Sequence, residues 1–97
     1  MKFAPWNDGQ RRGFKFWCPG CECAHRFCVQ SVEGPIWSVT GAERDQPSVS
    51  PSLLVTWPGT EKRCHSFVKG GKIQFLSDCS HRLAGMTVEV PDWEELD

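Results

Sequence analysis

The stretch that decides the fold is Arg63-Cys64-His65-Ser66-Phe67-Val68-Lys69-Gly70-Gly71-Lys72-Ile73-Gln74-Phe75-Leu76. Two runs rich in β-branched and aromatic residues flank Gly70-Gly71, which can take the left-handed angles of a tight primed turn. A two-residue turn sets the register. Lys69 faces Lys72, Phe67 faces Gln74 and Cys64 faces Ser77. Side chains alternate along a strand, so Cys64, Ser66 and Val68 share one face with Ile73, Phe75 and Ser77, and His65 points to the other.

Working outward, short β-type runs recur at Phe14–Trp17, His25–Val32, Ile36–Val39, Leu53–Trp57 and Met86–Val90, separated by Gly and Pro breaks. The polar stretch Gly41–Ser52, with Pro47 and Pro51, reads as a loop. Ser77 to Gly85 has room for one helical turn, capped by Ser77 or Asp78. No segment has the apolar period of a helix of 10–15 residues. The expected fold is mainly β: a small zinc-stapled domain of five to seven short antiparallel strands with at most one short helical turn. Residues 1–13, with Pro5, Asn7-Asp8-Gly9 and Arg11-Arg12-Gly13, read as an irregular N-terminal arm or the start of a hairpin, 14–93 as the single zinc-binding domain, and 94–97 as an acidic tail.

Composition narrows the function classes. The chain has 97 residues, 39% hydrophobic and 24% charged, with a net charge of −1. That is globular rather than disordered, and it argues against a strongly basic nucleic-acid binder. No apolar run approaches the roughly 18–20 residues of a membrane span, and no secretory signal precedes the first strand. The chain is therefore expected in the cytoplasm, the host's cytoplasm if phage-encoded, with no membrane contact. In that compartment six cysteines point to a metal rather than to disulfides.

Cys18-Pro19-Gly20-Cys21 is a Cys-x-x-Cys knuckle, whose two thiolates can turn onto one ion. Two more ligands must come from later in the chain, among Cys64, His65, Cys79 and His81. In the expected hairpin register Cys79 sits diagonally from Cys64, which selects Cys18, Cys21, Cys64 and Cys79 for one zinc ion. His81 and then His65 are the substitutes, and Cys23 lies near enough to replace Cys21. Cys28 reads as a small buried hydrophobe. Asp78, His65 and His81 beside the cysteines either hold the thiolates by hydrogen bonds or serve an open zinc site as acid and base.

Other cysteine and zinc chemistries fit poorly. Trp17-Cys18-Pro19-Gly20-Cys21 superficially resembles a thioredoxin site, but no helical period follows the first cysteine to lower its pKa. The His-x-Glu of nucleobase deaminases and the His-Glu-x-x-His of metalloproteases are absent.

A resemblance emerges from the motifs together. Phe16-Trp17-Cys18-Pro19-Gly20-Cys21 with His25, Gln46-Pro47-Ser48-Val49-Ser50-Pro51-Ser52-Leu53-Leu54, Cys64-His65-Ser66-Phe67-Val68, Gly71 to His81, Leu83 to Val88 and Pro91-Asp92-Trp93 are similar to a small domain family of unknown function. Its members are common in tailed bacteriophages and prophages and often carry the label "ammonia monooxygenase". The resemblance implies a functional set of Cys18, Cys21, His25, Cys64, His65, Asp78, Cys79 and His81, and leaves out Cys23 and Cys28. Ammonia monooxygenase itself is a membrane copper enzyme, and this chain has neither a spanning segment nor a donor set suited to copper and oxygen.

Three functions follow as expectations. The first is a phage-type accessory protein, in host takeover or anti-defence, whose structural zinc holds a module that binds a host or phage protein through Trp6, Trp37, Trp57 and Trp93. The second is a small zinc-dependent hydrolase using Asp78, His65 or His81. The third is single-stranded nucleic-acid binding by Lys2, Arg11, Arg12, Lys15 and Arg26 beside Trp6, Phe14, Phe16 and Trp17. The balance leans away from an enzyme.

Overall fold

The computed structural model describes residues 1–96 and is mainly β. Eight strands form among those residues: β1 (Ala4–Asn7), β2 (Arg11–Cys18), β3 (Cys23–Ser31), β4 (Ser38–Thr40), β5 (Ser48–Thr56), β6 (Arg63–Lys69), β7 (Lys72–Phe75) and β8 (Thr87–Glu89). They make two antiparallel sheets, one in the order β1-β2-β3 and one in the order β4-β5-β6-β7-β8. Among the described residues no helix is long and apolar enough to cross a membrane.

The hairpin forms in the expected register. Lys69 pairs with Lys72, Phe67 with Gln74 and Ser66 with Phe75. Gly70 and Gly71 take φ of +56° and +82°, which side chains with a Cβ resist. Burial alternates along β6, with Cys64, Ser66 and Val68 inside and His65 and Phe67 only half-buried.

Three expectations change. The strands number eight rather than five to seven, because residues 1–13 form the hairpin start and not an irregular arm: Ala4–Asn7 pairs with Arg12–Lys15, and Phe3 is buried among Phe14, Phe16 and Phe27. The Asn7-Asp8-Gly9 signal is the turn of that hairpin, closed by Asp8 accepting from the Arg11 backbone N–H at 2.8 Å. The loop expected at 41–52 ends early, since β5 already begins at Ser48. Pro51 lies where β5 breaks its regular pairing. Val49 pairs with Val68 and Leu53 with Ser66, so four steps on β5 match two on β6, and the proline falls in the bulge. Finally, 77–85 holds turns and no helix, while the two 3₁₀ turns lie at Ala42–Arg44 and Trp93–Glu95. Of the acidic tail at 94–97, Asp97 lies outside the described residues.

The sheets share one core. Phe16, Phe27 and Cys18 from the first sheet join Leu53, Cys64, Val68, Ile73, Phe75, Leu83 and Val90 in one buried cluster. The fit is tight at Gly13, where β2 bulges: a Cβ there would stand 1.8 Å from the Phe27 carbonyl oxygen. Gly13→Ala should therefore cost about 2–3 kcal/mol, read as a lower urea midpoint; an unchanged midpoint would show that the β2–β3 ladder is loose.

Candidate catalytic triad and metal centre

Strand alternation puts Cys64 and His65 on opposite faces of β6. On the inner face, β2 brings Cys18, β3 brings His25 and β6 brings Cys64, all buried. The knuckle brings Cys21. Its turn is held by Glu22 N–H to the Cys18 carbonyl at 2.8 Å, and Cys21 N–H points at the Cys18 sulfur at 3.4 Å. One ligand atom from each of Cys18, Cys21, His25 and Cys64 lies within 4.8 Å of the others, and all six cysteines are free thiols. These four residues could hold a metal ion.

The chemistry of the donor set fits a soft cation. The Cys18 and Cys64 sulfurs are 3.9 Å apart, close to the edge of about 3.8 Å expected for tetrahedral metal–sulfur bonds of about 2.3 Å. Cys18 is pulled down to about 4, chiefly by the hydrogen bond from Cys64 and then by His25. Cys21 is pushed up to about 12 by burial and by the Cys18 charge. Cys64 is pushed up as well, first because its thiol proton is given to Cys18 and then by burial. Cys18 is thus the thiol of the cluster that most readily ionises, and a cation would favour ionisation of its neighbours. His25 Nε2 is buried with no hydrogen-bond partner, an atom in want of a proton acceptor or a metal.

The other cysteines and histidines are placed differently. Cys79 forms a second group with Cys64 and His81, outside the four-residue cluster. Its sulfur instead accepts the His65 backbone N–H at 3.2 Å and donates to the His65 carbonyl at 3.1 Å. Cys79 thus lies near Cys64, as the hairpin register led one to expect, and at the same time braces β6 at His65, but it is not grouped with Cys18 and Cys21. The His81 ring packs on the knuckle, where a Cβ on Gly20 would lie 2.3–2.6 Å from three of its atoms. Its Nδ1 accepts the Leu83 N–H at 3.2 Å, which places its proton on Nε2, 3.5 Å from the Cys64 sulfur. Cys23 and Cys28 belong to neither metal group.

On the outer face of β6, His65 makes two hydrogen bonds in series. Its Nε2 lies 3.2 Å from the Ser52 hydroxyl, and its Nδ1 lies 3.2 Å from Asp78 Oδ2. Ser52, in the bulged part of β5, falls on the face of Leu54, the residue opposite His65. Arg63 also reaches Asp78 Oδ2, at 3.5 Å. The Trp37 indole N–H holds the Ser52 carbonyl at 3.1 Å. Serine, imidazole and carboxylate in this order have the connectivity of a nucleophile, its base and the group that orients the base.

His65 and Asp78 were acid–base candidates from sequence, but around a zinc; neither ring nitrogen of His65 is turned to the metal cluster. Ser52 was missed as a functional residue. It lay in a stretch read as loop, and a serine carries no local mark of reactivity; its one signal was its place in the motif Pro51-Ser52-Leu53-Leu54.

With this geometry in hand, the comparison with known families is informative. The chain belongs to the family described as Bacterial ubiquitination-like system serine protease (BubE), whose profile matches residues 2–76. That span contains Ser52, His65 and the four clustered metal-binding candidates; Asp78 lies two residues past it. The description names a bacterial system, and neither a bacteriophage nor zinc. No curated protein and no solved structure matches.

The metal cluster gives a direct expectation. The purified chain should carry one transition-metal ion, lost in Cys18→Ser and Cys64→Ser and kept in Cys28→Ser, as read by native mass spectrometry. Stripping the ion with a chelator should abolish the near-ultraviolet circular dichroism of the tryptophans. A metal-free chain with an unchanged spectrum would refute a structural ion.

Proposed function

We propose that the chain is a serine protease acting on a protein of a bacterial ubiquitination-like system, with Ser52 as nucleophile, His65 as general base and Asp78 as the group that orients it. The two hydrogen bonds in series through His65 carry this reading. With its Nδ1–H donated to Asp78, the imidazole presents the Nε2 lone pair to the Ser52 O–H. In the reaction Ser52 Oγ attacks the scissile carbonyl and its proton passes to Nε2. The imidazolium is stabilised by the Asp78 carboxylate. It then gives that proton to the departing amine as the C–N bond breaks, leaving an acyl ester on Ser52. Water, deprotonated by the same Nε2, hydrolyses the ester and the proton returns to Ser52.

Zinc is the metal we assign to Cys18, Cys21, His25 and Cys64. Buried thiolates with an imidazole suit a closed tetrahedral zinc. His25 is favoured over His81 as the fourth ligand because its Nε2 is otherwise unpartnered, whereas His81 keeps a proton on Nε2 for the Cys64 sulfur. The ion's part is a cross-link: it ties β2, β3 and the knuckle to the strand that carries His65.

The other readings lose ground. All five tryptophans are half-buried, so none stands free as a docking knob for a host or phage protein. Arg11 and Arg26 lie over the Trp6 ring at 5.6 and 4.6 Å and Lys15 over Trp93 at 5.5 Å. The chain's own cations already cover the rings on which nucleic-acid bases would stack.

A fluorophosphonate probe should label Ser52 in the intact protein, located by peptide mapping. Ser52→Ala and His65→Ala should each lower turnover of an activated ester at least about a thousandfold, with folding checked by circular dichroism; retained turnover in Ser52→Ala would remove the proposal. For the metal, ion stoichiometry should fall in His25→Ala and hold in His81→Ala, and the reverse result would exchange the two histidines.

A further inference from the structure

The sheet that carries Ser52 and His65 is unfinished on one side. β4 covers β5 only from Ser48 to Ser50. From Pro51 to Thr56, β5 has β6 on one flank and no strand on the other among the described residues.

The direction of the backbone groups along this flank can be worked out. His65 uses its N–H on Cys79 Sγ, and its carbonyl accepts from Leu76 N–H at 2.9 Å and from Cys79. Both groups therefore point toward β7. Leu54, paired with His65, gets no ladder bond from it, so the Leu54 N–H and C=O point away from β6 to the open side. The same holds two residues on. Arg63 gives its N–H to Ser80 Oγ and its carbonyl to the Ser80 N–H, both at 2.9 Å. Thr56, opposite Arg63, thus also faces outward. Neither Leu54 nor Thr56 has a main-chain partner among the described residues on that side.

An edge of this kind is normally blunted by charge or cover. Here Pro51-Ser52-Leu53-Leu54-Val55-Thr56 carries no charged residue. Leu54 is 55% exposed, on the face of the sheet that also carries Ser52 and His65. Past Ser52, whose carbonyl is held by the Trp37 indole N–H, the open edge runs to Thr56; the next residue, Trp57, is one wall of a cleft of about 730 Å³ shared with Gly20, Cys21 and His81.

We propose that this edge is the substrate site. An extended peptide segment adds to β5 as a further strand, pairing with the main chain of Leu54 and Thr56, and so lays a scissile carbonyl beside Ser52. The inference rests on Ser52 being the nucleophile. It names the substrate class as a flexible tail or linker able to become a strand, because pairing with this edge takes a free row of alternating N–H and C=O groups. The occupant is a substrate peptide and not a second copy of the chain, since the free flank lies beside the nucleophile and offers the main chain of only two outward-facing residues, Leu54 and Thr56, too little to hold a two-chain sheet by itself.

The test uses the intact wild-type protein and p-nitrophenyl esters, which are activated enough to report a weak site. Acetyl-Ala-Ala-Ala-glycine p-nitrophenyl ester should be turned over with kcat/KM at least about tenfold above acetyl-glycine p-nitrophenyl ester. N-methylation of the longer ester, one alanine at a time, should give losses of about tenfold at alternate positions and little between them, since only every second amide of a strand faces its neighbour. Equal kcat/KM for the two esters, or losses without a period of two, would overturn the edge site. Sedimentation should show a monomer at assay concentration; a dimer whose dissociation raises turnover of the longer ester would also overturn it. Absence of fluorophosphonate labelling at Ser52 would instead fell the catalytic reading, and the edge site with it. Labelling without a length effect fells the edge site alone.

Discussion

The pairing of β5 with β6 is the constraint on which the functional architecture depends. Leu54 stands opposite His65 and Val55 opposite Cys64. Because a strand's side chains alternate, this single register aims Cys64 into the thiol cluster and His65 out toward Ser52. A slip by one residue would send the imidazole into the core and the thiol to solvent. On its other flank β6 is fixed by the glycine turn at 70–71, which pairs it with β7, and by Cys79, which clasps the His65 main chain.

The two faces are therefore mechanically one unit. In a chain of 97 residues the core is thin, and Cys18, His25 and Cys64 occupy places a larger protein would fill with aliphatic side chains. A cation drawn into that cluster converts a buried polar pocket into a cross-link between the two sheets. The Ser52–His65–Asp78 arrangement would gain from it without the ion touching those three side chains. Asp78 and Cys79 repeat the pattern of Cys64 and His65: adjacent residues, one reaching the outer face and one holding the strand from within.

Much of this arrangement was legible. The Gly70-Gly71 turn, the alternation along β6 and the Cys-x-x-Cys knuckle are local signals, set by steric freedom of glycine and by the fixed period of a strand. The proximity of His65 and Asp78 to the cysteines could also be read. Prolines misled. Pro5 left β1 undecided between an arm and a hairpin start, and Pro47 and Pro51 hid the first half of β5, because a proline is compatible with an edge strand or a bulge and does not by itself mark a loop. Ser52 fell inside that misreading.

The sequence by itself determined the class of fold, the hairpin register and the supply of thiols and imidazoles, since each follows from interactions between residues near in the chain. Only the tertiary structure decided which groups meet. The grouping of His25 with Cys18, Cys21 and Cys64, while Cys79 meets Cys64 and His81 alone, and the meeting of Ser52 with His65, depend on how β3 packs against β6 and on two extra residues in the β5 bulge. Those contacts join segments tens of residues apart, and no local pattern records them.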